Sequence, residues 1–226
     1  MMKIMVIGAF GRVGQKVVRL AQAQGMRVIA VSRHQHADVD LGEATILIKD
    51  IKELAQTDLA DCDAILDATA GWDQTSADNI YLGLWHLAQL LSSFKNHIQL
   101  LKVGGTNTLY INAEHTKTLQ SLTNYYPPKY KFMCDAHQKA LDIIRTYSNL
   151  AWTYVTPAYN FDPNGPATNV YHVEGEEFKP NAAGDDGKND YISFNDFAQG
   201  IVDIIAKRQF IRQRVTLIRG DKPAKQ

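Results

Sequence analysis

The sequence predicts an α/β fold built on a doubly wound, mostly parallel sheet, and three observations carry that reading. An apolar run at residues 4–7 enters three glycines spaced three apart, Gly8, Gly11 and Gly14, and an amphipathic segment follows at once. Beyond it, short apolar runs alternate with segments of helical period, the order a parallel sheet needs because each parallel pair demands a crossover. Residues 158–190 break this rhythm with Pro163, Pro166, Pro180 and repeated Asn, Asp and Gly. That composition is loop, and it reads as an insertion forming a small C-terminal substrate cap on one 226-residue domain.

The glycines of the first turn have separate tasks. Gly8 lets the chain leave the strand with dihedrals that a Cβ opposes, Gly11 lets the backbone approach a pyrophosphate, and Gly14 lets the helix pack tightly on the strand. Phe10, Arg12 and Val13 fill the rest of the turn. The free N–H groups and positive dipole end of the helix then face an anion, which makes residues 1–14 a dinucleotide-binding candidate. The spacing is GxxGxxG rather than GxGxxG, and with a hydrophobic strand before it the motif resembles the extended and atypical branches of the short-chain dehydrogenase/reductase superfamily.

Val13, Val17, Val18 and Ala21 share a helical face, and Gly25 stands where a left-handed cap ends that helix. Residues 27–32 (RVIAVS) form the second strand. An Asp or Glu at its end would bond a ribose 2′-hydroxyl and repel a 2′-phosphate; Ser32 and Arg33 stand there instead, which predicts NADP(H) in preference to NAD(H). Arg12 is expected to approach the same phosphate from the other side. His34, Gln35, His36 and Asp38 form a polar loop with no third ligand at a defined offset, so no metal is assigned.

Residues 44–49 are the third strand, and Asp50 and Ile51 follow at the adenine edge, with Asp50 also capping a helix at 52–56. The fourth strand, 63–69, ends at Thr69, and Ala70 and Gly71 make a small-residue turn after it that leaves room for the second ribose and nicotinamide. Asp67 is read as structural. A helix over 76–94 carries an apolar stripe of Ile80, Leu84, Leu87, Leu91 and Phe94, widened by Trp85 and Leu90, and is assigned to core packing before a dimer face. The fifth strand, 98–103, runs into Gly104, Gly105 and Thr106.

Helices are expected at 113–124 and, after Pro127 and Pro128, at 132–147; the sixth strand is 151–156 and a short strand is placed at 168–173. Ser193 reads as an N-cap with Asp196 three residues on, and Phe197, Ile201 and Ile205 face the core. Residues 214–218 close the sheet, and a disordered tail is expected at 222–226.

Val103-Gly104-Gly105 after the fifth strand, the segment Trp152-Thr153-Tyr154-Val155-Thr156-Pro157, and the run YISFNDFA from Tyr191 to Ala198 resemble the NADH-flavin reductase group of atypical short-chain dehydrogenases. That group is related to NmrA-like and biliverdin/flavin reductase-like proteins, and the resemblance covers nearly the whole chain. It implies a Rossmann-type fold and hydride transfer from a nicotinamide to a flavin, or a flavin-like or quinone-like small aromatic acceptor. A flavin would be substrate rather than tightly bound.

Typical short-chain dehydrogenases use a Tyr and a Lys four apart on a helix, the Lys lowering the Tyr pKa. Tyr125 and Lys129 have that interval, but Pro127 and Pro128 lie between them and oppose a continuous helical turn. Thr106 is the remaining candidate catalytic hydroxyl, while His137 and Lys139 read as solvent- or partner-facing. Flavin reduction tolerates the missing acid, since the protein mainly stacks two flat rings at near-attack distance and excludes water. Val103, Gly104, Gly105 and Thr106 would form the floor under the nicotinamide, with Pro157, Tyr159 and Phe161 as the acceptor wall. The alternatives are a non-catalytic NmrA-like redox sensor and, last, a sugar-nucleotide epimerase or dehydratase, which would need an acid/base pair and a larger substrate domain.

Lys+Arg and Asp+Glu both number 24, so no global charge draws the chain to nucleic acid or an anionic membrane. The first apolar run is too broken by glycine for a signal peptide or a membrane span, and a cytoplasmic monomer or homodimer is expected. Cys62 and Cys134 are isolated thiols assigned to packing.

Overall fold

The structure is a computed structural model that describes residues 1–94, 98–179 and 190–220. In chain order its elements are β1 (Lys3–Ile7), α1 (Arg12–Ala23), β2 (Arg27–Ser32), β3 (Thr45–Ile48), α2 (Gln56–Leu59), β4 (Ala64–Asp67), α3 (Gln74–Ser92) and β5 (Gln99–Val103). Then follow α4 (Lys131–Arg145), β6 (Ala151–Pro157), β7 (Asn160–Asp162), β8 (His172–Glu174), β9 (Tyr191–Ser193), α5 (Phe194–Lys207) and β10 (Gln213–Ile218). Eight strands make the main sheet, in the order β3-β2-β1-β4-β5-β6-β10-β8. All neighbours are parallel except β10 and β8.

Growth of the sheet reverses between β1 and β4: the chain first builds outward through β2 and β3, then returns to the other side of β1. This reversal opens a crevice at the carboxyl ends of β1 and β4, where ligands of open α/β sheets bind. The sheet has a core on each face because strand side chains alternate. Ile4 and Val6 of β1 join Val17 and Val18 of α1 and Ile201 and Ile205 of α5 on one side. Met5 and Ile7 join Ile80, Leu84 and Leu87 of α3 and Leu141 and Ile144 of α4 on the other.

Three expectations are corrected. Residues 113–124 hold no α-helix, only a 3-10 turn at Leu119–Ser121. The Asn112 side chain accepts from Lys117 N and donates to Glu114 and Thr116, offering the backbone a turn in place of a helix. Trp85 is 48% exposed, on the far side of α3 from its buried stripe. In the insertion, the short strand expected at 168–173 is β8, which extends the main sheet, while the stretch read as loop before it also holds β7, which pairs with β9. Residues 180–189 of the insertion, and the expected tail at 222–226, lie outside the described residues.

Ser193 caps α5, accepting from Asp196 N at 3.0 Å. The Asp196 carboxylate in turn accepts from the backbone of Thr168 and Asn169 and from the Thr168 hydroxyl. Thus the start of α5 and the chain leading to β8 are tied together.

Candidate functional site

The crevice begins at the glycine turn. Gly8 has φ of +79°, and a Cβ there would lie 2.9 Å from Ala68 O, so a side chain would collide with the end of β4. At Gly14 a Cβ would stand 2.2 Å from Gly8 O, which is why α1 can start so close to the turn. Among the described residues no side chain caps α1, and its first turn holds no acidic residue, leaving its N-terminal N–H groups and dipole open to an anion.

Two adjoining cavities of about 300 and 290 Å³ run along the carboxyl edge of the sheet. The first is lined by Gly8, Phe10 and Gly11 of the turn, Ser32, Arg33 and His36 after β2, Lys49, Asp50 and Ile51 after β3, and Thr69 and Ala70 after β4. The second is lined by Arg12, Val13, Thr69, Ala70, Gly71, Val103, Gly104, Gly105 and Thr106, with Tyr126, Met133, His137, Pro157, Phe161 and Phe194 around them. Gly11, Ala68, Thr69, Ala70 and Trp72 border both. A groove pinched over a glycine turn into a polar half and an apolar half suits an extended dinucleotide with an acceptor beyond it.

Side-chain packing explains the polar half. Phe10 stacks on the His36 ring with centroids 4.4 Å apart, and His36 Nε2 lies 3.0 Å from Ser32 Oγ. Asp50 does two things: it caps the 3-10 turn Ile51–Glu53 through Lys52 N at 2.9 Å, and it borders the cavity. Lys49 is committed to Asp58 at 2.7 Å, so Arg33 is the cation in this half without a carboxylate partner among the described residues.

The wall between the halves stands on a buried ion pair. Asp67, reached from β4, and Lys102, from neighbouring β5, meet at 3.0 Å with 0% and 1% of their side chains exposed. Asp67 Oδ1 accepts from Thr69 N at 2.9 Å and Thr69 Oγ1 at 2.6 Å. Lys102 Nζ donates to Thr69 O and Thr69 Oγ1, both at 3.2 Å. Thr69 is therefore gripped by both charges. Burial pulls the Lys102 ammonium below its ordinary pKa, against the raising effect of Asp67.

On the floor of the apolar half, a Cβ on Gly104 would lie 2.1 Å from Tyr154 Cε1, and one on Gly105 would lie 2.6 Å from His137 Cγ. The glycine pair lets the β5 turn lie flat on these two rings. The 3-10 turn Thr106–Thr108 beyond it is clamped by buried Arg214, which donates to Thr108 O and Thr108 Oγ1 at 3.0 Å and to Thr156 Oγ1 at 3.3 Å. Burial lowers the Arg214 pKa to about 10, still far above neutrality, so the clamp stays charged.

Several residues lie elsewhere than the sequence suggests. Arg12 is not beside Arg33; its guanidinium lies over the Trp72 and Phe194 rings at the mouth of the apolar half, because the start of α1 points across the crevice toward α5. Tyr159 lines neither cavity: its ring packs edge-on against Tyr125, Tyr126 and Phe178, and its hydroxyl donates to Tyr125 O at 3.1 Å. Phe161 does face the apolar half, packed on Phe194 at 4.0 Å. Thr106 lines the floor, but its hydroxyl donates to Pro157 O at 3.0 Å, which commits its proton to the backbone. His137 faces the cavity rather than solvent; burial and the charge of Lys102 lower its pKa to about 3, keeping the imidazole neutral.

Sequence reading missed Trp72, His36, Tyr126, Met133 and Phe194 as lining residues. Met133 and His137 carried a signal, since they are four apart on α4 and turn the same face to the cavity, the interval sought for a Tyr and a Lys. Tyr126 carried none; its hydroxyl interacts with Thr106, and burial raises its pKa above the ordinary tyrosine value.

This fold and this crevice define an NAD(P)H-binding domain of Rossmann type. The chain belongs to the NAD(P)H-binding family, whose model matches residues 8–208, and it fits the atypical short-chain dehydrogenase/reductase group. It is similar to the Streptococcus pneumoniae protein described as "SP1627, a putative NADH-flavin reductase", with TM-score 0.85 and 32% identity over 97% of this chain and 100% of that one. Bacillus subtilis YwnB, an uncharacterized protein, is 29% identical over 96% of this chain and 98% of its own length. Escherichia coli O157:H7 ChuY, an anaerobilin reductase, shares the fold at TM-score 0.71 and 18% identity, covering 99% of this chain and 100% of that one. Together the family and the Streptococcus pneumoniae relative support an oxidoreductase. No helix among the described residues is long and apolar enough to cross a membrane.

Proposed function

We propose that the protein is a cytoplasmic NADPH-dependent reductase that passes hydride to a flavin, or to a flavin-like or quinone-like acceptor that binds transiently. The observation that carries this reading is the apolar half of the crevice. It joins the dinucleotide cradle over Thr69 and Ala70, has a flat floor at Gly104 and Gly105, and is walled by Met133, Pro157, Phe161 and Phe194. Such a slot holds two flat rings face to face and excludes water, and the bound nicotinamide supplies the hydride. Met133 and neutral His137 provide no acid on the α4 face, and Thr106 has spent its proton on Pro157, so an acceptor whose reduced form spreads its charge suits the site better than a simple carbonyl. The description of the Streptococcus pneumoniae relative points the same way.

The preference for NADPH rests on Arg33 and Ser32. Arg33→Ala should weaken NADPH binding about tenfold or more, the worth of a charge-assisted contact, while NADH changes by less than about twofold. Titration of each cofactor by fluorescence reads this, and equal losses for both would remove the 2′-phosphate assignment.

A second reading, a non-catalytic redox sensor like the NmrA-like proteins, is favoured by the same lack of a free acid. Anaerobic titration with NADPH and NADH, followed by FMN, FAD, riboflavin and a quinone while reduced-nicotinamide absorbance is followed, separates the two. Rapid oxidation with one acceptor class supports the reductase; tight binding without oxidation supports the sensor.

A further inference from the structure

We propose that Arg12 sets acceptor specificity, holding the anionic tail of a flat aromatic acceptor at the cavity mouth so that FMN is taken in preference to uncharged riboflavin. The inference rests on the reductase reading and names the acceptor class within it.

The geometry is that of an open lip. The Arg12 guanidinium carbon lies 5.6 Å from the Trp72 ring centroid and 5.2 Å from that of Phe194. Trp72 comes from the loop after β4 and Phe194 opens α5, so the cation sits between two elements that approach the mouth from different sides. Trp72 is 71% exposed and borders both cavities, so its ring is accessible to a ligand at the mouth. Arg12 itself is exposed and makes no ion pair among the described residues. One turn further along α1, Lys16 is met by the neutral Asn195 Oδ1 at 2.8 Å rather than by a carboxylate. The corner thus carries two cations and, among the described residues, no paired anion, next to an apolar slot.

A ring entering that slot must leave any charged tail at its mouth, since burying an unpaired phosphate is costly. The aromatic neighbours hold the guanidinium by cation–π attraction and leave its N–H edge free for bidentate contact with phosphate oxygens, a geometry that Lys cannot copy. The rival use is the cofactor's own pyrophosphate, because Arg12 is the first residue of α1. The two uses differ in which ligand suffers when the charge is lost.

The test measures kcat/KM for FMN and for riboflavin at saturating NADPH, and separately the Kd for NADPH without acceptor, in the wild type and in Arg12→Gln and Arg12→Lys. The expected result is a wild-type preference for FMN of about tenfold or more, the worth of one charge-assisted contact. In Arg12→Gln that preference collapses toward unity through KM for FMN, and Arg12→Lys recovers only part of it. Equal kcat/KM for the two flavins in the wild type overturns the proposal while leaving the reductase standing. So does an equal loss on both flavins accompanied by weakened NADPH binding, which assigns Arg12 to the pyrophosphate. No oxidation of NADPH by any flavin in the wild type overturns the flavin-reductase reading itself.

Discussion

Lys102→Met is expected to cost about 3–5 kcal/mol of stability, because it strips the partner from a fully buried carboxylate. Asp67 is 0% exposed, and without Lys102 its charge would be met, among the described residues, only by the amide and hydroxyl of Thr69. Urea unfolding at pH 7 reads the loss; a variant within about 1 kcal/mol of the wild type would show that the pair is not ionised. Replacing both charges, as in Asp67→Leu with Lys102→Met, should recover most of the stability, since a buried pair costs nearly as much to desolvate as it returns. Cofactor affinity should not recover with it. Thr69 lies at the seam of the two cavities and takes its position from both charged groups, so the double variant separates what the pair does for folding from what it does for the site.

The same pair shows where sequence reading stops. The glycine turn, the strands after it and the N-cap at Ser193 were legible because each is written in neighbouring residues: a period, glycines three apart, a serine three before an aspartate. Asp67 was recognisable as structural, but its grip on Thr69 is completed by Lys102, 33 residues further on, and no local pattern announces that β5 will lie beside β4. Arg214 clamping Thr108 across 106 residues is equally silent. The failed helix at 113–124 has the opposite cause: its composition permits a helix, and one side chain, Asn112, wins the backbone for a turn. Arg12 was placed correctly in the chain and wrongly in space, because the direction of an exposed side chain depends on what α5 brings opposite it. Tyr159 was expected in the acceptor wall; the rings of Tyr125, Tyr126 and Phe178 hold it away from the cavity instead.

A second large effect is expected at Asp190, with a sign opposite to the usual carboxylate. Asp190 is 1% exposed; one carboxylate oxygen accepts from Tyr159 N at 2.8 Å, and the other is buried without a hydrogen bond among the described residues. Burial pushes its pKa from 3.8 up to about 7, with the Tyr159 amide only partly opposing the rise. In the unfolded chain the group ionises near its ordinary value, so above roughly pH 4 the unfolded state gives up a proton that the folded state keeps. Stability from this group is therefore fully present below the unfolded pKa, declines by about 1.4 kcal/mol per pH unit, and is lost as pH rises through 7, a total on the order of 4 kcal/mol. Asp190→Asn retains an acceptor for Tyr159 N and cannot ionise. It should match the wild type near pH 4 and exceed it by several kcal/mol at pH 8, measured by urea unfolding across that range; parallel stability curves would mean that Asp190 ionises normally. The strain falls on the chain from Pro157 to Phe161, which Asp190 ties to β9 and whose two ends line the acceptor cavity. Acceptor KM should accordingly rise with pH through 7 in the wild type and stay flat in Asp190→Asn.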